Sequence, residues 1–280
     1  MSEPPSTEQR SLAHWAEAGR AGMEAFYALA LEDYRRMVAA RDWAADLRAH
    51  AVDGRVRVLD VACGSGKFPA ELIRRGLADA VAGTSVEIAL LDPSPFSLAE
   101  ARSVLAAPFT VGARHRSRIQ DLPADVGGFD VAWATHALYA VPPDEIGAGI
   151  ARMVAALRPG GFGAVVHATA ASHYLRFAAA FRDTFAPASV PFTTAAQVEQ
   201  ALTAAGVGPE VTTLHYDVAH TDRAVVEGFL QRCVFDDSVP LERMEAEGSV
   251  GTYLAQHVRG EEHRFHQVVD VITWENPAAS

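Results

Sequence analysis

Between residues 56 and 167 the chain alternates short apolar runs with helix-patterned stretches, and this alternation restricts its fold more than any other feature. The runs are residues 56–61, 87–91, 129–135 and 162–167, and the stretches between them are 68–75, 95–105 and 143–157. Near-continuous Val, Leu, Ile and Ala runs are strands buried on both faces, and right-handed crossovers lay helices over each face. The prediction is an α/β fold with a doubly wound, mostly parallel sheet. Residues 114–119 are too basic for a central strand, but their position suits a third strand at an edge. Beyond about residue 170, helical patterns at 171–185, 194–205, 223–233 and 241–258 surround two candidate strands, 210–216 and 267–273. That last pair reads as an antiparallel, hairpin-like edge.

Ahead of the first strand, residues 1–8 are polar and Pro-rich and are expected to fray. Residues 11–18 and 22–50 carry apolar side chains three and four apart (Phe26, Leu29, Met37, Val38, Trp43), the pattern of an amphipathic helix. Such a layer is either packing or a lid over a site. The organisation expected is a helical lid over 1–52 and a doubly wound domain over 53–280, with helical insertions after residue 170.

Charge narrows the partners. With 24 Lys and Arg against 35 Asp and Glu, the net charge of −11 leaves little surface for neutralising phosphates, so nucleic acid and anionic membranes are not expected partners. No basic leader or long apolar span is visible, which reads as a cytoplasmic protein. Cys63 and Cys233 are too few for a disulfide framework or a cysteine zinc site.

The segment Asp60-Val61-Ala62-Cys63-Gly64-Ser65-Gly66-Lys67-Phe68 ends a buried strand and opens a helix. Two glycines there let the backbone approach a ligand, and free N–H groups face outward from the new helix. A dinucleotide fingerprint wants a third glycine where this chain has Pro69, so the spacing argues against NAD.

Asp60-x-Ala62-x-Gly64-x-Gly66 resembles motif I of the class I S-adenosylmethionine-dependent methyltransferases, with Ala62 in place of the first glycine. That replacement is harmless if only its backbone faces the cofactor, and crowds the turn if the position needs a positive φ. Three further segments fall where the family needs them. Leu90-Leu91-Asp92-Pro93-Ser94 puts an acid at the end of the second strand, where the resemblance implies that Asp92 accepts from the ribose hydroxyls; taken alone, Asp92 is equally a helix N-cap. In Gln120-Asp121-Leu122-Pro123 the resemblance implies that Asp121 accepts from the adenine amino group while Leu122 packs on the ring. Leu157-Arg158-Pro159-Gly160-Gly161 matches a structural helix-to-strand turn. The family implies a seven-stranded Rossmann-like sheet of order 3-2-1-4-5-7-6, S-adenosylmethionine as cofactor with S-adenosylhomocysteine as product, and Asp60 orienting the cofactor's ammonium group.

Methyl transfer is in-line displacement by a lone pair, for which proximity, alignment and a base suffice. In this fold the residues after the fourth and fifth strands, Thr135-His136-Ala137-Leu138-Tyr139 and His167-Ala168-Thr169, lie beside the methyl group. Thr135 is assigned to the cofactor and Tyr139 to the acceptor. His136 is the first choice as base and His167 the second. Trp15, Phe26, Tyr27, Tyr34, His173 and Tyr174 are expected to roof the acceptor pocket or simply to fill the interface beneath the helices, with Tyr27 also suited to the sulfonium. Tyr27 and Tyr34, seven apart, share one helix face. Residues 137–142 also resemble, over a short stretch, an element of the histamine N-methyltransferase-like branch, which points to a small-molecule acceptor. His257, His263 and His266 would place two imidazoles on one helix face, yet they lie far from every cofactor motif, and no metal is assigned. Cys63 and Lys67 are given no chemistry, Lys67 being read as solvated.

The function expected is methylation of an N, O or carboxylate acceptor on a small metabolite, with the Ala-rich, Arg-over-Lys composition suggesting bacterial secondary metabolism. The alternatives are a non-methylating reaction on the same fold (cyclisation, decarboxylation or rearrangement) and a non-catalytic scaffold subunit. Sequence says nothing of oligomeric state.

Overall fold

The computed structural model describes residues 6–277. Eight strands form one sheet: β1 (Arg55–Val61), β2 (Ser85–Leu91), β3 (Phe109–His115), β4 (Phe129–Thr135), β5 (Leu157–Ala168), β6 (Glu210–His220), β7 (Val258–Arg259) and β8 (Glu262–Glu275). Their order is β3-β2-β1-β4-β5-β8-β6, with the two-residue β7 pairing on β8. The first five are parallel, and β8 runs antiparallel to both β5 and β6. This is the expected order, with the short β7 taking the seventh number.

Among the described residues twelve α-helices accompany them. Before the sheet come α1 (Thr7–His14), α2 (Arg20–Ala39) and α3 (Trp43–Ala49). Within the parallel part lie α4 (Lys67–Arg74), α5 (Leu77–Ala80), α6 (Pro95–Val104) and α7 (Ile146–Ala156). After β5 follow α8 (His173–Phe185), α9 (Ala195–Ala204), α10 (Arg223–Val234), α11 (Leu241–Ala246) and α12 (Gly248–Ala255). Alternate residues of each central strand feed two cores. Val56, Val58 and Trp133 pack into one with α2, α3, α4, α8 and α10, while Leu59, Val61, Ala132 and Ala134 pack into the other with α7 and α9. Trp133 is fully buried, edge-on to Phe68 at 5.3 Å and to Trp43 at 6.4 Å. Each such pair adds about 0.5–1.5 kcal/mol to area burial.

Several expected boundaries shift. The stretch 22–50 is two helices, because Asp42 caps α3 through the Ala45 N–H at 2.9 Å. Likewise 241–258 divides at Gly248, whose φ is +54°. The third strand is β3, not 114–119: as an edge strand it is exposed along most of its length and shows no apolar run. The turn expected at 157–161 is part of β5, where it forms a bulge: Phe129 pairs Leu157 and Val131 pairs Phe162, so five residues of β5 span two of β4. β6 and β8 are adjacent and antiparallel, but α10, α11 and α12 separate them in sequence, so they are no hairpin. Residues 1–5 lie outside the described residues, whereas Ser6 and Gln9 form a reciprocal capping box that starts α1. Among the described residues no helix is long and apolar enough to cross a membrane.

Candidate active site

At the carboxyl ends of β1, β2 and β4 lies a cavity of about 180 Å³, roofed by α1, α2 and α10. Its floor is the turn after β1. Ala62, Gly64 and Gly66 all adopt left-handed φ, at +50°, +52° and +71°. Gly66 serves packing, since a Cβ there would lie 2.9 Å from Ala101 Cα and 2.8 Å from Val104 Cγ2 of α6. Gly64 is different: a Cβ would meet nothing within 4 Å, so the bare backbone faces open space in the cavity wall. Ala62 also lines the cavity, and its positive φ costs about 1–2 kcal/mol that a glycine would not.

Two buried carboxylates support this turn. Asp92 Oδ2 accepts from the Gly64 N–H at 3.0 Å and Oδ1 from the Ser94 N–H at 2.8 Å. Burial pushes its pKa up to about 6 against those two N–H donors. Ser94, not Asp92, caps α6. Asp60 sits beneath the turn, and its Oδ2 is buried with no hydrogen-bond partner. Burial pushes Asp60 up to about 8, with the Trp133 indole working against it and the charge of Asp92 adding to it.

The far side of the crevice is rearranged relative to expectation. Asp121 is exposed and paired to Arg118 at 2.6 Å, and Leu122 is buried in the core beneath α7; neither lines the cavity. Gln120 does. Its Nε2 donates to Glu8 at 3.1 Å and Glu145 at 2.8 Å, leaving Oε1 buried and without a donor. Glu8 also pairs with Arg118 at 2.9 Å, so the segment expected to fray is anchored to the site.

Trp15, Phe26, Tyr27, Tyr34 and Tyr139 line the cavity, as do Tyr174, Pro93 and Thr135. His173 does not: it is buried, bonded to the Tyr253 hydroxyl at 2.8 Å and stacked on Phe265 at 4.1 Å. His167 is also off the cavity. Its Nε2 donates to the Thr193 carbonyl at 2.9 Å, it stacks 4.2 Å from Tyr139, and burial pulls its pKa down to about 4. Lys67 is half-buried at the wall with Nζ 4.6 Å from the Tyr27 ring centre, not solvated. His263 and His266 sit on β8, where three residues apart means opposite faces, so they share no helix. Among the described residues no group of three or more His, Cys, Asp or Glu is placed to hold a metal.

His136 reaches the cavity from a left-handed residue (φ +51°) just past β4. Its Nδ1 lies 2.5 Å from the Tyr139 hydroxyl, which accepts from the Ala168 N–H at 3.2 Å. The hydroxyl proton is thus free for Nδ1, which assigns the ring proton to Nε2, 3.8 Å from Asp33 Oδ2. Burial depresses the imidazole to about 3, far below the range in which it takes and keeps a proton at neutral pH.

Sequence reasoning passed over Asp33. This α2 carboxylate is 2% exposed, lines the cavity, and accepts from the Tyr174 hydroxyl at 2.5 Å and the Tyr216 hydroxyl at 2.8 Å. Burial pushes it up to about 7, partly offset by those hydroxyls. Arg232 was also passed over; it is buried on α10, donates to the His14 and Gly19 carbonyls, and lies 5.0 Å from the Trp15 ring centre.

Residues 58–161 match the methyltransferase domain family. No curated protein matches the chain in sequence. Among solved structures, a provisionally assigned methyltransferase of Bacillus halodurans is similar at 15% identity, over 85% of this chain and 99% of that one, with a TM-score of 0.59. Magnesium protoporphyrin IX methyltransferase from Synechocystis, with S-adenosylhomocysteine bound, aligns at 13% identity over 95% and 99%, TM-score 0.55. A possible histamine N-methyltransferase from Thermotoga maritima aligns at 13% over 95% and 99%, TM-score 0.51. At these identities the likeness is one of fold. The chain shares the class I methyltransferase fold with these structures, and its residues 58–161 match the methyltransferase domain family.

Proposed function

We propose that this chain methylates an N, O or carboxylate oxygen acceptor on a small metabolite, as a tailoring step in bacterial secondary metabolism. The observation that carries the reading is the bare Gly64 backbone opening on the cavity beside Asp92, with Asp60, whose buried Oδ2 has no hydrogen-bond partner, behind the turn and off the cavity lining. A cradle that a Cβ would fill, with one buried acceptor lacking a donor, suits an amino-acid tail and a nucleoside sugar. S-adenosylmethionine bound there supplies a sulfonium methyl open to in-line attack.

The protein's own contribution is placement and exclusion of water. Asp60 and the turn at Ala62, Gly64 and Gly66 hold the amino-acid end; Asp92, followed by Pro93, takes the sugar; Gln120 Oε1 takes a donor from the base in place of Asp121. Thr135 and Tyr27 flank the centre, and α1 and α2 close it as a lid. Trp15, Tyr34 and Tyr139 offer ring faces to the acceptor. Isothermal titration with S-adenosylmethionine and S-adenosylhomocysteine tests the core of the reading, with micromolar binding expected and weakened by Asp92→Ala. Binding of neither ligand would remove it. A product heavier by one methylene, with S-adenosylhomocysteine released, separates methylation from cyclisation or rearrangement on the same fold.

A further inference from the structure

Within the acceptor end of the cavity, Asp33 stands out because no cation answers it. Among the described residues it makes no ion pair with Lys or Arg. The groups facing it are Tyr174 from α8, Tyr216 from β6, Cys233 from α10, Tyr139 and His136. Burial raises the phenols and the thiol and lowers the imidazole, so each of them is neutral near pH 7, while Glu32 beside it on α2 adds only repulsion. An ionised carboxylate has about four acceptor positions, and the two tyrosines use two. A buried charge left in this state calls for a partner from outside the chain. The walls around it are rings, Tyr34, Tyr139 and Tyr174, whose faces favour a cation. Arg232, the other buried charge on the cavity, is tied to the roof through the His14 and Gly19 carbonyls, with its Nε left without a hydrogen-bond partner, so the acid probe in the test below reads its side of the cavity.

We propose that the acceptor is an amine that enters as an ammonium ion, and that Asp33 both binds it and receives the proton that frees its lone pair. The proposal rests on the methyltransferase reading above. An N–H bond breaks, its proton passes to a carboxylate oxygen of Asp33, and the electron pair stays on nitrogen. Nitrogen then forms the bond to the sulfonium's methyl carbon as the C–S pair remains on sulfur, so the positive charge moves from sulfur to the methylated nitrogen. Asp33 returns its proton to water when product leaves. A carboxyl poised at about 7 is matched to that exchange at neutral pH.

The test compares three probes of one shape, phenethylamine, 2-phenylethanol and 3-phenylpropanoate, titrated into the S-adenosylhomocysteine-loaded protein at pH 7.5. The amine is expected to bind at least tenfold more tightly than the alcohol or the acid. Asp33→Asn is expected to weaken the amine at least tenfold while S-adenosylhomocysteine binding changes less than twofold, which also shows that the variant folds. Tyr216→Phe keeps the carboxylate and removes one donor, so the pH midpoint of amine binding should rise. Equal binding of the three probes, binding of none of them, or an Asp33→Asn variant that keeps its amine affinity overturns the proposal. Failure of S-adenosylhomocysteine to bind the wild type is a separate result that removes the cofactor reading, and the probe comparison on the unloaded protein then still reads Asp33.

Discussion

The Tyr27 hydroxyl lies 3.0 Å from Ser65 Oγ, which ties α2 directly to the middle of the glycine turn. Burial pushes the phenol up to about 12, so it stays a neutral hydrogen-bonding group. Tyr27→Phe keeps the ring under Lys67 and removes the hydroxyl that meets Ser65 on the turn and Tyr34 on its own helix. A net hydrogen bond of about 1 kcal/mol corresponds to about fivefold in affinity, so titration of the variant with S-adenosylhomocysteine should show that much weakening. An unchanged Kd would mean that the roof and the turn are not coupled.

Ala62→Gly should make the protein more stable. The left-handed φ of +50° costs an alanine about 1–2 kcal/mol, and glycine's extra freedom in the unfolded chain returns about 0.5–1 kcal/mol of that. A net gain of about 1 kcal/mol would raise the Tm by about 2–4 °C at this chain length, readable by calorimetry. Gly66→Ala makes the opposite case, because its Cβ collides with Ala101 of α6 and should lower the Tm. If both variants moved the same way, the conformations at these positions would not be those described.

Stability should fall as pH rises from 6.5 to 8.5. Asp33 and Asp60 hold their protons up to about 7 and about 8 in the folded chain, against roughly 3.9 when unfolded. Their protonated forms favour the fold, fully below the unfolded value, and that contribution is lost as pH climbs through 7 and 8. Each group sets a slope of at most about 1.4 kcal/mol per pH unit. His136, His167 and His173 oppose this at lower pH: burial depresses all three, so the fold loses stability as pH drops below about 6.5. Asp92, raised to about 6, joins the two carboxyls in this range, so three groups of each kind offset between about pH 4.5 and 6 and the melting temperature should be nearly flat. Affinity for S-adenosylmethionine should run the other way, tightening from pH 6 to 8 as Asp60 and Asp92 ionise. Thermal scans and titrations over one buffer series read both slopes.

The parallel core was legible because each strand buries both faces and so needs an unbroken apolar run; β4 shows this over its whole length. The glycine turn was legible because only glycine fits Gly66 against α6. Edge strands carry no such pressure, which is why β3 was misplaced by several residues. Asp121 failed for a related reason: an acid before Pro123 looks the same whether it faces a base or, as here, Arg118 at the surface. Asp33 was hidden most completely. On a helix an isolated acid reads as the solvent face, and its partners Tyr174 and Tyr216 lie 141 and 183 residues away, joined to it only by the packing of α2 on α8 and β6. His173 erred in the other direction, since its place after β5 suggested the pocket while its ring turns into the aromatic cluster around Phe265.

Arg232 is expected to govern how firmly the roof closes. Its guanidinium fastens the end of α1 and the start of α2 through the His14 and Gly19 carbonyls, and it packs so closely on Gly22 that a Cβ there would meet Nη2. Hydrogen bonds from a charged donor are worth about 1.5–3 kcal/mol, and these hold a segment with little other burial. Arg232→Met keeps the stem and removes both donors. Because α2 still packs on α10, the cost should fall on local opening rather than on global unfolding. Proteolytic cleavage between residues 14 and 22 should therefore accelerate about tenfold with the Tm little changed. Trp15 should report the same event. Trp43, Trp133 and Trp274 are at most 3% exposed, so a red shift in emission on mutation comes from Trp15 losing the guanidinium above its ring. Saturating S-adenosylhomocysteine should slow the cleavage again, because the roof residues Trp15 and Tyr27 share the cavity with the glycine turn. If the variant were cleaved no faster than wild type, the roof would be held by ring packing alone.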